Sequence, residues 1–280
     1  MPSKRRNNTP ELWDELWAEG ASLEQDLYAL EKERAGVRFR RLRNRIVGRF
    51  GRFDGLKVVE VGAGAGTNAA LCARLGAEVT ILDYSDAALD RSRIFFERNG
   101  LTATRIRGDA LRIPAELLGV YDVSMSFGLA EHFVGEMRAE IVRSHLDLLR
   151  PGGMTFVSVP NRANLPYRLS KLIAERTGRW KVGEEHPYSR AEFAAICAAL
   201  DVREYSFFGD SLWHSLSFVN PIVIGRNVRG VKPDLDRSRI GPERGTLLDA
   251  RFAYALVLCV VKDLEHAPVR LGEGPRGGTS

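Results

Sequence analysis

EVGAGAGTN, residues Glu60 to Asn68, decides the fold. KVVEV (57–61) reads as a short strand, the glycines at 62, 64 and 66 as a turn, and NAALCARLG (68–76) as a helix. Where a strand runs through glycines into a helix, a ligand can lie flush on the backbone and meet the helix's free N–H groups. In GxGxxG the third glycine stands five positions after the first; here that position is Thr67 and the spacing is GxGxG. No Lys follows, which excludes a GxxxxGK[ST] phosphate loop, and nothing nearby gathers cations for a pyrophosphate. Taken alone, the turn also admits the lesser reading of a tight connection with no ligand.

Downstream, short apolar runs alternate with helical ones. AEVTILD (77–83), ATRIRGD (103–109), YDVSMSF (121–127) and MTFVSVP (154–160) read as strands. Residues 85–100 and 135–153 read as helices closed by Gly or Pro-Gly. This alternation predicts right-handed crossovers and a parallel sheet covered on both faces. Upstream, Thr9 caps a helix with Pro10 in its first turn, and Trp13 and Trp17 share a face. Ser22 and Gln25 form a capping box, after which Leu23, Leu27, Leu30, Phe39, Leu42, Ile46 and Phe50 continue an apolar face. Residues 1–54 are expected to be helices packed on or folded over the domain that follows.

The acids around the turn suggest its ligand. Glu60 precedes the glycines, and Asp83 ends the second strand, where a carboxylate can accept from both hydroxyls of a ribose. Each charged bond of that kind is worth roughly 1.5–3 kcal/mol. Asp109, in GDA after the third strand, could reach an exocyclic adenine amine or simply serve its own turn. The ligand inferred is an adenosine with a small cationic or zwitterionic extension.

EVGAGAG (60–66), LDYS (82–85), RGDALRIP (107–114), SFGLAEHF (126–133) and LLRPGG (148–153) together resemble the class I S-adenosylmethionine-dependent methyltransferases. The resemblance implies an α/β, Rossmann-like doubly wound sheet of seven strands, ordered 3-2-1-4-5-7-6. Its last strand is antiparallel, a place that AYALVLCVVKD (253–263) suits. N-terminal helices and an insertion before that strand would be additions. It further implies that Gly62, Ala63 and Gly64 lie against the methionine part of S-adenosylmethionine and that Asp83, with Tyr84, holds the ribose. Asp109 and Ala110 would line the adenine, and Phe127 and Gly128 the sulfonium side, with Glu60 completing the set.

A methyl acceptor with a phenol of pKa about 10 is only about 0.1% ionised at pH 7, a deficit of roughly 4 kcal/mol. His132, in AEHF just past strand four, is the candidate base, or else a histidine that bonds its own turn with Glu131 as orienter. His186, in GEEHPYS, is the second candidate; His145 reads as a helix-face residue, and His214 and His266 carry no signal alone. Some ubiquinone-biosynthesis methyltransferases place a metal on Glu-x-x-Glu-His. Gly128 stands at the first Glu position, so no metal is expected.

The bulk composition narrows the rest. Of 280 residues 44% are hydrophobic, no run is long enough to span a bilayer, and MPSKRRNNTP lacks the apolar core of a secretion signal. The three cysteines fit neither a disulfide framework nor zinc spacing, which makes a reducing cytoplasm the expectation. Nine basic residues against Glu33 lie between Lys32 and Arg52; arginine is abundant throughout, which favours a solvated helix face there.

The methyltransferase domain is expected over 55–264, with 160–188 and 209–250 as variable acceptor-side segments and 265–280 as a disordered tail. Segment 160–188 contains one helix, NLPYRLSKLIAERTG, and Ser189 with Glu192 opens the next by a capping box. In the insertion, Trp213, Leu216, Phe218, Ile222 and Ile224, followed by Arg226, Arg229 and Lys232, read as an apolar lid touching a lipid-linked acceptor or a membrane surface. Equally, they read as core or an oligomer contact. No Pro-Cys or (Asn/Asp/Ser)-Pro-Pro-(Tyr/Phe) motif follows strand four, so DNA is excluded as acceptor. The expected function is methylation of a small molecule, at oxygen before nitrogen, against the alternative of a non-catalytic binder of the same cofactor.

Overall fold

The computed structural model describes residues 8–18, 20–180, 182–221, 224 and 234–264. The expected tail 265–280, together with Ile222, Arg226, Arg229 and Lys232 of the insertion, lies outside the described residues.

A single seven-stranded sheet runs in the order β3-β2-β1-β4-β5-β7-β6, as the motifs implied. Its strands are β1 (Lys57–Val61), β2 (Glu78–Asp83), β3 (Thr104–Arg107), β4 (Tyr121–Phe127), β5 (Leu149–Pro160), β6 (Glu204–Gly209) and β7 (Ala255–Val261). β1 pairs in parallel with β2 and β4, whereas β7 runs antiparallel to both β5 and β6. The central strands are continuous apolar runs because both faces are covered. Val58, Val59, Val123, Met125, Phe156 and Val157 are fully buried. Helices α4 (Thr67–Arg74), α5 (Asp86–Arg98), α6 (Met137–Leu148), α7 (Leu165–Arg176) and α8 (Arg190–Ala199) follow the strands that the alternation predicted. Parallel crossovers bring the carboxyl ends of β1, β2 and β4 to one edge, the usual location of a ligand crevice.

Three helices precede the sheet: α1 (Pro10–Ala18), α2 (Leu23–Ala35) and α3 (Val37–Phe50). The Ser22–Gln25 capping box forms, and Thr9 caps α1 through its Oγ1 at 3.4 Å from the Leu12 nitrogen. α2 is fixed to α5 by buried Asp26, which accepts from Arg91 and, at 2.7 Å, from Arg98. Leu30, Phe39, Leu42 and Ile46 enter the core as the pattern required, but Leu23 stays exposed at the first position of α2.

The basic stripe is in part the solvated face the composition favoured, with Lys32, Arg34, Arg43, Arg49 and Arg52 exposed, but Arg38, Arg41 and Arg45 are half-buried. Arg38 forms a bidentate pair with Glu33, Arg41 reaches buried Asp249 at 2.8 Å, and Arg45 stacks 4.2 Å over the Phe208 ring. The planar guanidinium can satisfy a carboxylate or cover a ring in a half-buried seam, which is why these arginines tie α3 to β6 and to the segment before β7. Two further readings change. Ser189 caps α8, but the Glu192 carboxylate turns to Arg138 at 2.6 Å. His145 is fully buried, its Nε2 3.0 Å from Ser126 Oγ, and burial pulls its pKa down to about 3.

Candidate functional site

Gly62, Gly64 and Gly66 all take positive φ (60°, 53° and 72°), a region that side chains rarely tolerate. Space is refused as well: a Cβ on Gly62 would stand 2.7 Å from Leu129 Cδ1, and one on Gly64 2.1 Å from Trp17 Cζ2. The turn is therefore built to let something planar or extended lie on its backbone. In this structure that place over Gly64 is taken by the Trp17 indole of α1. The same helix crosses to the start of α5, where Asp14 Oδ1 accepts from Ser85 Oγ (2.5 Å) and from the Ala87 nitrogen (3.3 Å). Trp13 meets the His132 ring edge-on at 4.9 Å, and Asn8 Nδ2 donates to the carbonyls of His132 and Glu184.

Both acids of the turn are buried. Glu60 accepts from the Ala69 nitrogen at 2.7 Å, and burial pushes its carboxyl up to about 8. Asp83 accepts from the backbone nitrogens of Gly64 (3.2 Å) and Ser85 (3.0 Å); burial raises its pKa against these donors. Asp83 thus shapes the turn as well as standing at the β2 tip. Tyr84 is half-buried beside it, and Ala110 half-buried after β3. Asp109 is exposed, and its Oδ1 accepts from the Leu111 nitrogen of its own turn.

A cavity of about 440 Å³ opens against the turn. Glu60, Ala63, Thr67, Asn68 and Phe127 line it from the domain, Trp17, Lys32, Glu33 and Arg38 from the N-terminal helices, and Asp210, His214, Glu243 and Tyr254 from the far end of the sheet. Asn68 Oδ1 is buried there without a partner. Arg38 lies 5.0 Å over the Phe127 ring. Burial works against the charge on Arg38, but the Glu33 carboxylate outweighs it and holds the guanidinium charged. Burial lifts Asp210 to about 7 and lowers His214. Trp17, Arg38 and His214 were not selected from the sequence. No local spacing marks them, because each comes from a segment far from the glycines.

His132 stands outside this cavity's lining. Its Nδ1 donates to the Glu184 carbonyl at 2.9 Å, which leaves Nε2 as a lone-pair acceptor, and burial lowers its pKa. His186 does not join it in one catalytic arrangement: its backbone nitrogen donates to the Glu131 carbonyl, and its Nε2 lies 3.6 Å from Glu184. Glu131, His132 and Glu185 each bring a donor atom within 4.8 Å of the others, close enough to share a cation. Glu131 Oε2 is buried and unpartnered, and burial, with Glu185 nearby, raises its pKa well above the ordinary range. Gly128, where the metal-binding pattern has its first Glu, sits at φ 85°, and a Cβ there would stand 3.6 Å from Glu131 Oε1. The second carboxylate comes instead from Glu185, 54 residues along the chain from Glu131, which no short motif could reveal.

A protein family described as a methyltransferase domain matches residues 58–153. A ubiquinone biosynthesis O-methyltransferase of Ruegeria pomeroyi is 33% identical over 138 residues, 49% of this chain and 54% of that protein. One from a Caulobacter species is 31% identical over 161 residues, 56% and 63% of the two chains. The chain thus spans about half the length of the first of these relatives. Among solved structures, a magnesium protoporphyrin IX methyltransferase of Synechocystis PCC 6803 with bound SAH superposes with a TM-score of 0.54 at 15% identity, covering 90% of this chain and 94% of that one. That likeness concerns the fold. Residues 58–153 thus match a methyltransferase domain, and the sheet order and glycine turn have the arrangement of the class I S-adenosylmethionine-dependent methyltransferase fold.

Proposed function

We propose that the chain methylates an oxygen of a small-molecule acceptor, using S-adenosylmethionine. The observation that carries this reading is the cavity against the side-chain-free turn, with Asn68 Oδ1 unpartnered inside it. The residues fit the cofactor once Trp17 moves off Gly64: Gly62 and Gly64 then offer side-chain-free backbone, Asp83 and Glu60 buried carboxyls, and Arg38, now paired with Glu33, a cation at the cavity wall. When bound, S-adenosylmethionine supplies a methyl group already activated on a sulfonium. Much of the remaining task is alignment, worth about 7–11 kcal/mol when donor and acceptor are held in line. The names of the relatives favour oxygen over nitrogen as the acceptor atom. His132, its ring held by the Glu184 carbonyl and the Gly128 backbone and its pKa lowered by burial, is the proposed base that takes the acceptor's proton. Its role is to hold that proton at Nε2 while the Glu184 carbonyl fixes the ring. An apolar or lipid-linked acceptor is the preferred class, since Phe218, Tyr167 and Tyr254 cluster with centroids 5.0–5.8 Å apart beside the cavity's Tyr254 wall.

The second reading, a protein that holds the cofactor without turnover, rests on Trp17 lying over Gly64. Mass spectrometry across a panel of phenols, sugars and prenylated hydroxyls separates the two. The enzyme yields a product heavier by one CH₂; cofactor binding with no such product for any acceptor supports the binder instead.

A further inference from the structure

Helix α7 is apolar on the wrong side. Taking 100° per residue, Tyr167, Lys171 and Ala174 form its inward face, with Tyr167 buried and donating to Glu185 at 2.6 Å. The opposite face should be polar. It carries Leu165, Leu169, Leu172 and Ile173, between 42% and 68% exposed, at i, i+4, i+7 and i+8. The helix is firmly held, so this exposure is a built feature. Asn164 caps it and donates to the Phe252 carbonyl, and Asn161 donates to the carbonyls of Arg251 and Ala253. The turn Leu216–Val219 packs on α7 through Phe218 against Tyr167, and this turn and the preceding Leu212–Ser215 expose Leu216, Val219 and Trp213.

The charges around the stripe are mostly basic, although Arg162 lies 3.6 Å from Glu192. Arg162 precedes the helix, Arg168 flanks the first Leu, Arg176 continues the stripe's own azimuth one turn on, and Arg179 follows; all four are exposed. Glu175 is the one acid among residues 161–180 and is bound to Lys171 on the helix. No described helix is long and apolar enough to cross a membrane, so this element can lie on a bilayer but not span it. At about 18 Å, the helix suits burial at the headgroup boundary, with cations meeting anionic headgroups.

We propose that the α7 stripe, with Trp213 and Leu216 beside it, docks the protein on an anionic lipid surface. Docking there sets Tyr167, Glu185 and the His132 cluster directly behind the lipid-facing helix. This surface stands on exposure and charge, independently of which acceptor is methylated.

Vesicle flotation of the full chain tests it. Vesicles of phosphatidylcholine with phosphatidylglycerol should bind the protein, and pure phosphatidylcholine about tenfold or more weakly, as expected for several basic side chains acting together. Leu169→Glu with Ile173→Glu should abolish binding, and Arg168→Glu with Arg176→Glu should reduce it about tenfold or more, with thermal midpoints and S-adenosylmethionine binding unchanged. The charge-reversal pair alters only exposed positions and so remains informative if the apolar pair fails to fold. Equal binding to both vesicle types, binding that survives both variants, or a dimer in sedimentation that Leu169→Glu with Ile173→Glu dissolves would each overturn the proposal; the last would make a second copy the occupant of this face.

Discussion

Trp17 covers Gly64 so closely that a Cβ on the glycine would stand 2.1 Å from the indole. Anything that lies along this turn must displace that ring, and α1 with it. S-adenosylmethionine should therefore change Trp17 fluorescence, a signal identified by its loss in Trp17→Phe. Trp17→Ala should bind the cofactor severalfold faster, since a barrier to entry is removed. Identical fluorescence titrations of wild type and Trp17→Phe, with calorimetry confirming occupancy, would place the ligand elsewhere.

Asp83 holds the turn, and in the proposed reading it also grips the ribose; two substitutions separate the two. Its carboxylate accepts from the buried nitrogens of Gly64 and Ser85, so Asp83→Ala should cost about 1–3 kcal/mol of stability through unsatisfied donors. Asp83→Asn keeps one of the two accepting oxygens and should recover only part of that. Both should weaken S-adenosylmethionine binding, by roughly tenfold to a hundredfold for the loss of charged bonds to a ribose. Calorimetry showing wild-type affinity in a folded Asp83→Asn protein would remove Asp83 from the ligand.

The sheet was legible because each strand carries its own signal. KVVEV and YDVSMSF have the bounds of β1 and β4, and five motifs in order imply the strand sequence confirmed here. The site was half legible. Glycines with positive φ and an acid at a strand tip declare themselves locally, whereas Trp17, Arg38, Glu185 and His214 reach the site only through tertiary packing. The inner side of the arginine stripe was hidden for the same reason: composition cannot show that Glu33, Asp249 and Phe208 wait to receive Arg38, Arg41 and Arg45.

Burial holds Glu60 protonated up to about pH 8, against an ordinary value of 4.5. A carboxyl whose folded pKa is raised binds its proton more tightly in the folded state. The resulting stability is fully present below about pH 4.5 and is lost as pH rises to about 8, at up to about 1.4 kcal/mol per pH unit. Glu60→Gln can still accept from the Ala69 nitrogen but cannot ionise. Its unfolding free energy should fall less steeply over this window and exceed that of the wild type at pH 8. Parallel stability curves for the two proteins would show that Glu60 is already ionised when folded.

Two histidines are candidates to take the acceptor's proton in the proposed reaction, and their surroundings predict different failures. His132 is held by the Glu184 carbonyl and the Gly128 backbone, while His214 lines the cavity with Tyr254 and Asp210. If His132 is the base, His132→Ala should bind S-adenosylmethionine normally and lose about 10²–10⁴ in kcat, the usual contribution of general-base catalysis. His214→Ala should then raise KM for the acceptor and leave kcat within a few fold, because it only lines the space. Single-turnover measurements with the cofactor prebound isolate the chemical step from binding and release. A carboxylic acid, which is ionised at neutral pH, provides the control: turnover on it should be indifferent to His132→Ala. A reversed pattern, with kcat lost in His214→Ala and kept in His132→Ala, assigns the proton to the cavity histidine and leaves His132 as a support for the turn that Trp13 and Asn8 pack against.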